Sequence, residues 1–558
     1  MLFKDTTTIR DLTHWIVGFL GCGLLTACVS PAPNGEVFHY NQESPLLSVD
    51  PVHARDQAGN WTARLMYSRL VELNHGQEPI PSLALRWSVD SGGLIYRFTL
   101  RDSVWFHPDA CLGRNGLAGT RMVRAEDVAF SLNRLMDRAT ASPGAWIFRD
   151  RLAPTGIVVT DSMHLEIHLR SPFPPMLGLL SMGYCSVVAP EAVRHYGEEF
   201  RSHPVGSGPF RLVYWEEGES LVLHRHQLYF EKDLDGQQLP YLDAIQIHFM
   251  ADKSTAAMAF LQGRLDVYWG WEAAFQRYLM GYGKDLKPEF RNTFQLIKGP
   301  YLNTEYIGFL MNPSAQAMHP ALQDHRIRKA LHHGTDRRTL IRALRRGVGY
   351  PAFGGLLPPG LPGFDSSSLE TSPLHCDPYD KDLAIKYLQE AGYGPDRPLR
   401  LPLETNPSYT DLAQFLQSQW APLGIQIQIR VSQGPTLRQM ISGQEATMFR
   451  ASWIADYPDA ENYLALGYSP YSVPNGPNYT CYRNSDYDRL YLESLQESDP
   501  MLRKVLYRRM DSLMQSDRPY LALYYDQMQH VLQNGWTGWY VSPLNLPDFR
   551  YLRRISAH

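Results

Sequence analysis

Two hydrophobic periods alternate along most of the chain. Residues 94–100 (LIYRFTL) are apolar at alternate positions, which predicts a strand with one buried face. Residues 125–138 open on the acidic pair Glu126 and Asp127 and set Val128, Leu132 and Leu135 on one helical face. Strands are predicted at 165–169, 244–250 and 307–311, and a helix at 255–262 closed by Gly263. Residues 325–346 read as one long helix, and 382–391 as a helix stopped by Gly392. A helix at 412–423 ends at Gly424 and runs into a strand at 425–431. Strands and helices interleaved in this way predict an α/β protein with mixed sheets. The turn-rich stretch 358–363 (PPGLPG) reads as a surface loop, and no repeat or heptad pattern is present.

The N-terminus departs from this pattern. Residues 15–25 (WIVGFLGCGLL) form one apolar run, too short for the roughly 20 residues of a spanning helix but fitting the core of a secretory signal, with Lys4 and Arg10 upstream. The run ends in Leu25, Thr26, Ala27 and Cys28, which resembles a bacterial lipobox and implies cleavage before Cys28 and lipidation of its sulfur. Residues 1–27 are then a lipoprotein signal peptide and 28–35 a linker from the anchor. Val29 is not the Asp of an inner-membrane retention signal. Stable anchoring is expected, because several acyl chains contribute about 0.8 kcal/mol per buried methylene. Export also makes one or two disulfides available among Cys111, Cys185, Cys376 and Cys481, with no pairing preferred.

Composition narrows the class. With 558 residues the chain is large enough for roughly three to four domain-sized units or one two-lobed protein. Lys and Arg total 53 against 57 Asp and Glu, so no basic footprint for nucleic acid exists. A mean hydropathy of −0.31 excludes a polytopic membrane protein, and six cysteines exclude a disulfide-built scaffold.

Catalytic motifs are absent. There is no dinucleotide or P-loop glycine pattern and no H-E-x-x-H. Ser207, in V-G-S-G-P, lacks the glycine spacing of a nucleophile elbow and reads as a tight turn. His332-His333 and the His224/His226 pair lack metal-ligand spacing, so neither metal nor cofactor is expected. The basic run 326–346, with eight Lys and Arg, reads as a solvated helix face.

Several stretches together resemble the peptide-binding family, family 5, of bacterial ABC-importer solute-binding lipoproteins. They are L-S-V-D-P from Leu47 with M-Y-S-R-L-V from Met66; Y-R-F-T-L-R from Tyr96 with V-W-F-H from Val104; and A-E-D-V-A-F-S-L from Ala125. P-V-G-S-G-P-F from Pro204, R-I-R-K-A-L from Arg326, A-G-Y from Ala391, W-I-A-D-Y-P-D-A from Trp453 and D-R-P-Y from Asp517 follow in the family's order. The resemblance implies a two-lobed type II periplasmic-binding fold with an extra subdomain inserted in the first lobe. Lobe I is expected at 36–298, with the insertion at about 61–195; lobe II at 299–530; and a return to lobe I at 531–558. The chain would cross near 299–303 and return near 529–533, and ligand binding would close the lobes about these crossings.

The resemblance also assigns a site. Asp456 falls where oligopeptide binders pair an Asp with the ligand's α-amino group; read alone, it would be a helix cap or turn acceptor. The backbone near Ser452 falls where the peptide main chain is bound as an added strand. Trp453 would wall a side-chain pocket, and Arg450 would direct a cation toward the ligand carboxylate. Ser452 replaces a Gly and Ile454 a Cys found in some members. The implied function is a monomeric, non-enzymatic, membrane-anchored periplasmic or envelope receptor that delivers peptides to an inner-membrane ABC permease. Relatives with the same fold that carry nickel complexes, opines, haem or oligosaccharides, and an envelope interaction lipoprotein without transport, are the alternatives.

Overall fold

The computed structural model describes residues 35–113, 119–271, 273–281, 285–312, 318–364 and 378–555. The signal segment with Cys28, and also Cys376, lie outside them. The fold is two-lobed α/β with mixed sheets. In the first lobe the strand Val37–Gln42 pairs in parallel with Ala244–Phe249, which continues antiparallel to Ser220–Arg225 and Phe210–Glu216. A second, all-antiparallel sheet orders Ala84–Val89, Ile95–Leu100, His164–Leu169 and Leu152–Asp161. Both sheets drain into one core: Phe38 and Tyr40 belong to the same buried cluster as Phe98, Val128, Leu132 and Ile167.

The second lobe is built on a seven-stranded sheet. Its centre is three strands, Tyr520–Gln533, Phe294–Phe309 and Met448–Ile454, and Leu399–Thr405 and Ile425–Val431 extend it in parallel. Side chains alternate across this sheet. Tyr306, Phe449, Ala522 and Tyr525 pack on one face beneath the helices Ser485–Gln496 and Pro500–Asp517. Ile307, Met448, Leu521 and Leu523 pack on the other, beneath His325–His333, Lys381–Glu390 and Thr410–Trp420. Each fully buried aliphatic side chain contributes about 1.5–3 kcal/mol, so the two faces fix the strand register firmly.

The two long strands run side by side through both lobes. Their ladder shifts register between Pro300 and Thr304, opposite Tyr525–Gln527.

The resembled motifs have structural causes. Asp50 accepts from Val52 N and forms an ion pair with Arg134 at 2.6 Å, tying the V-D-P turn to the helix Ala125–Arg134. Asp127 accepts from the Arg124 backbone N at 2.8 Å, closing the start of that helix, and Arg121 bridges Asp127 and Glu191. In P-V-G-S-G-P-F, a Cβ on Gly206 would lie 2.1 Å from Met66 O, and one on Gly208 2.4 Å from Met66 C. Both glycines admit the neighbouring backbone. Ser207 is fully buried in this turn, and its carbonyl accepts from Ser68 Oγ.

Three sequence expectations need correction. The helix expected at 325–346 is two, His325–His333 and Arg337–Arg345. Gly334 ends the first, and Asp336 caps the second by accepting from Thr339 N. Their basic residues are not all solvated: Arg328 and Arg337 are buried, and Arg328 donates to the carbonyls of Leu322, Gln323 and Asp517. The proline-rich stretch 358–363 is only partly a surface loop: Gly360 and Pro362 are exposed, but Leu361 enters the second-lobe core.

Cys111, Cys185 and Cys481 are free, so no disulfide joins any two of them. Among the described residues no helix is long and apolar enough to cross a membrane.

Candidate functional site

The strand Met448–Ile454 carries three of the four residues singled out from the sequence. It pairs antiparallel with Phe294–Phe309, setting Ile307 opposite Arg450, Glu305 opposite Ser452 and Thr304 opposite Trp453. On its other side the ladder with Leu399–Thr405 is recorded only at Glu404–Phe449. Beyond Phe449, no described strand pairs with that edge. Ser452 and Trp453 lie on this stretch, half-buried. An unpaired edge is a template for an added extended chain.

The strand ends in a polar clamp. Ala455 N donates to Leu302 O at 2.9 Å, and Tyr463 Oη lies 2.7 Å from Trp453 O and 2.9 Å from Leu302 O. Asp456 follows as the chain leaves the sheet. Its backbone N donates to Asn462 Oδ1 at 3.3 Å, and Asn462 Nδ2 donates to Asp456 Oδ2 at 3.5 Å. Trp453 Nε1 donates to the same Asn462 Oδ1 at 2.9 Å, and its ring meets Tyr479 edge-on at 6.2 Å. One buried asparagine therefore orients both the carboxylate and the indole.

Asp456 is solvent-exposed, although protein surrounds much of its carboxylate. Protein around it withdraws water and raises its carboxyl pKa; the hydrogen bond from Asn462 offsets part of that. Among the described residues no cation pairs with it. Burial pushes the hydroxyl pKa of Tyr184, in the first lobe, up to about 12, with the charges of Asp456 and Asp56 adding. An accessible carboxylate without a counter-ion among the described residues is suited to receive an ammonium group from a ligand.

Arg450 is placed differently. It is buried, with Nε and Nη2 committed to the two carboxylate oxygens of Glu305 and its guanidinium stacked on the Tyr409 ring. Burial pushes the Glu305 carboxyl up, against the pull of Arg450. Beyond Glu305, Asp526 accepts from Asn303 Nδ2 and pairs with Arg345. Arg450 is thus bound inside the protein rather than open in the cleft. Asn462, Tyr463, Glu305 and Tyr184 did not stand out in the sequence. Asn462 lies six residues past Asp456 and could have been sought as its local partner.

Two cavities lie away from this site. One of about 320 Å³ in the second lobe is lined by Lys329, Arg337, Asp511 and Arg518 among others, and one of about 370 Å³ lies against the strands Ala84–Val89, Ile95–Leu100 and His164–Leu169. Neither is lined by Asp456, Trp453, Ser452 or Arg450. Among the described residues no group of three or more His, Cys, Asp or Glu could hold a metal.

Comparison with known proteins agrees with this architecture. The family model for bacterial extracellular solute-binding proteins, family 5, matches residues 78–475. A di/tripeptide-binding protein 2 of Pseudomonas aeruginosa is 24% identical over 510 residues, covering 88% of this chain and 89% of that protein. A glutathione-binding protein GsiB of Salmonella paratyphi A is 25% identical over 511 residues, covering 90% of this chain and 91% of that protein. Among solved structures, HbpA2 from Haemophilus parasuis superposes with a TM-score of 0.80 at 21% identity, covering 93% of this chain and all of that one. The chain belongs to the family 5 bacterial extracellular solute-binding proteins.

Proposed function

We propose that the chain is the receptor of an ABC importer, capturing short peptides with a free α-amine in the cleft between its lobes and handing them to a membrane permease. The observation that carries this reading is Asp456, a solvent-accessible carboxylate held by Asn462 at the end of a half-free strand edge, with no cation beside it among the described residues. The di/tripeptide- and glutathione-binding relatives support the same ligand class.

Truncating one partner of a buried charge pair costs roughly 2–5 kcal/mol, and neutral backbone hydrogen bonds contribute about 0.5–1.5 kcal/mol each. A micromolar ligand needs about −8.2 kcal/mol. One amine–carboxylate pair and a few main-chain bonds along 451–454 supply part of that figure without demanding any particular side chain, and burial of the ligand's apolar surface has to supply the rest. Trp453 then walls the first side-chain pocket, and Ser452 offers its backbone. Arg450, tied to Glu305, acts on a ligand carboxylate only if the ligand displaces that carboxylate, and otherwise stiffens the strand.

Capture and release need no catalytic step. Lobe units at 36–298 with 531–558, and at 299–530, would move about the paired crossings. A lipid on Cys28 would keep the monomer at the membrane, on the outer side of the permease.

Native mass spectrometry of the gently purified protein tests this. Peptides that co-purify with the wild type and are lost in Asp456→Ala are expected. An empty protein that also ignores a random peptide pool would overturn the reading.

A further inference from the structure

Tyr457 follows the anchor Asp456 in the chain, yet it belongs to the other lobe's core. It is 3% exposed and packs in the buried cluster of the first lobe, although the strand leading to it lies in the second-lobe sheet. Its ring faces Trp146 at 6.4 Å with the planes 29° apart. A Cβ on Gly178 would lie 3.5 Å from Tyr457 Cβ and 3.6 Å from Pro458 Cδ. Nearby, a Cβ on Gly144 would come within 2.6 Å of Tyr184 Cγ, so Gly144 admits the Tyr184 ring. On the second-lobe side, Tyr457 Oη donates to Glu461, which also accepts from Tyr491 Oη.

We infer that the notch formed by Trp146 and Gly178 is a docking seat for Tyr457, and that this seat couples occupation of Asp456 to closure of the lobes. Opening the cleft pulls an aromatic ring out of a dry core contact. A ligand held on Asp456 fixes the backbone of 456–458, which is the surface the seat receives. Closure is thereby favoured when the anchor is occupied, through two adjacent residues facing opposite partners. At position 178 an alanine would make only ordinary contact, whereas a branched side chain would meet Tyr457. The inference rests on the two-lobed binding reading but not on the ligand being a peptide.

Cross-linking in the full chain decides it. The 3.5 Å separation between a Cβ at 178 and the Cβ of Tyr457 lies at the edge of the disulfide range of roughly 3.5–4.5 Å. The double variant Gly178→Cys/Tyr457→Cys, treated with oxidised glutathione, should form that disulfide in most of the folded protein, as read by peptide mapping. Absence of the cross-link in a chain that circular dichroism shows to be folded overturns the seat. The single variant Gly178→Val provides a second reading by small-angle scattering. Its radius of gyration should exceed that of the wild type with and without trialanine, and its trialanine dissociation should be at least about tenfold faster. Equal radii in both states overturn the coupling. If trialanine binds neither protein, the peptide reading fails, while the cross-link and the ligand-free radii still decide the seat.

Discussion

Asn462 holds Asp456 at both ends: its Oδ1 accepts from the Asp456 backbone N at 3.3 Å, and its Nδ2 donates to Oδ2 at 3.5 Å. The same Oδ1 takes the Trp453 indole N–H at 2.9 Å. Replacing it by alanine frees the carboxylate and the indole together. Loss of hydrogen bonding to a charged group is worth about 1.5–3 kcal/mol, so peptide affinity should fall roughly 10–100-fold in Asn462→Ala. Isothermal titration of wild type and variant measures it; an unchanged Kd would mean that Asn462 does not orient the anchor.

The raised pKa of Asp456 sets the sign of the pH dependence. Only the ionised carboxylate pairs with an ammonium ligand, so affinity is full above its pKa and falls as pH drops through it. Because burial raises that pKa, the decline should begin at higher pH than for an ordinary aspartate, which titrates near about 4. Asp456→Asn should bind about 2–5 kcal/mol more weakly and lose this dependence. Titrations across the acidic range compare the two slopes.

Arg450 and Glu305 form a buried bidentate pair, and their removal should not be additive. Glu305→Ala leaves a buried guanidinium without its partner and should cost about 3–5 kcal/mol of stability. The double variant Glu305→Ala/Arg450→Met should recover a good part of that loss. Urea unfolding of the wild type, Glu305→Ala, Arg450→Met and the double variant gives the coupling energy.

How much of this was legible in the sequence depended on how local its causes are. The strand Ile95–Leu100 and the helix Ala125–Arg134 follow from periodicity, because each buries one face. Only the last, continuously apolar part of Phe294–Phe309 could be read. Its first half, with Lys298, Gly299 and Pro300, is a strand because it lies against Tyr520–Gln533, more than two hundred residues away. Gly334 and Asp336 signal the helix break, but the apolar pattern runs on through them. Asp456, Trp453 and Ser452 were found by resemblance rather than by spacing. The commitment of Arg450 to Glu305 could not be read, since the two meet only through strand pairing.

Asp511 offers a stability test independent of ligand. It is buried, accepts from Gln515 Nε2 at 2.7 Å and has no cation paired with it among the described residues. Burial pushes its carboxyl up to about 7. In the unfolded chain the group loses its proton near about 4, whereas the folded protein keeps it until about 7. Between those values the native state binds the extra proton, so stability falls as pH rises, by up to about 1.4 kcal/mol per unit. Asp511→Asn should flatten this slope and melt higher than the wild type at neutral pH. Thermal melts of both across this range would show it; parallel profiles would assign the slope to other groups.

The central claim is that Asp456 captures a ligand amine. The most direct measurement compares one short peptide, identified from the purified protein, with its N-acetylated form by isothermal titration. Acetylation removes the positive charge and leaves the rest of the peptide intact. The account predicts that the free-amine peptide binds and that acetylation weakens it at least about 30-fold, as loss of a roughly 2 kcal/mol charge pair requires. Equal affinity for the two forms would contradict it.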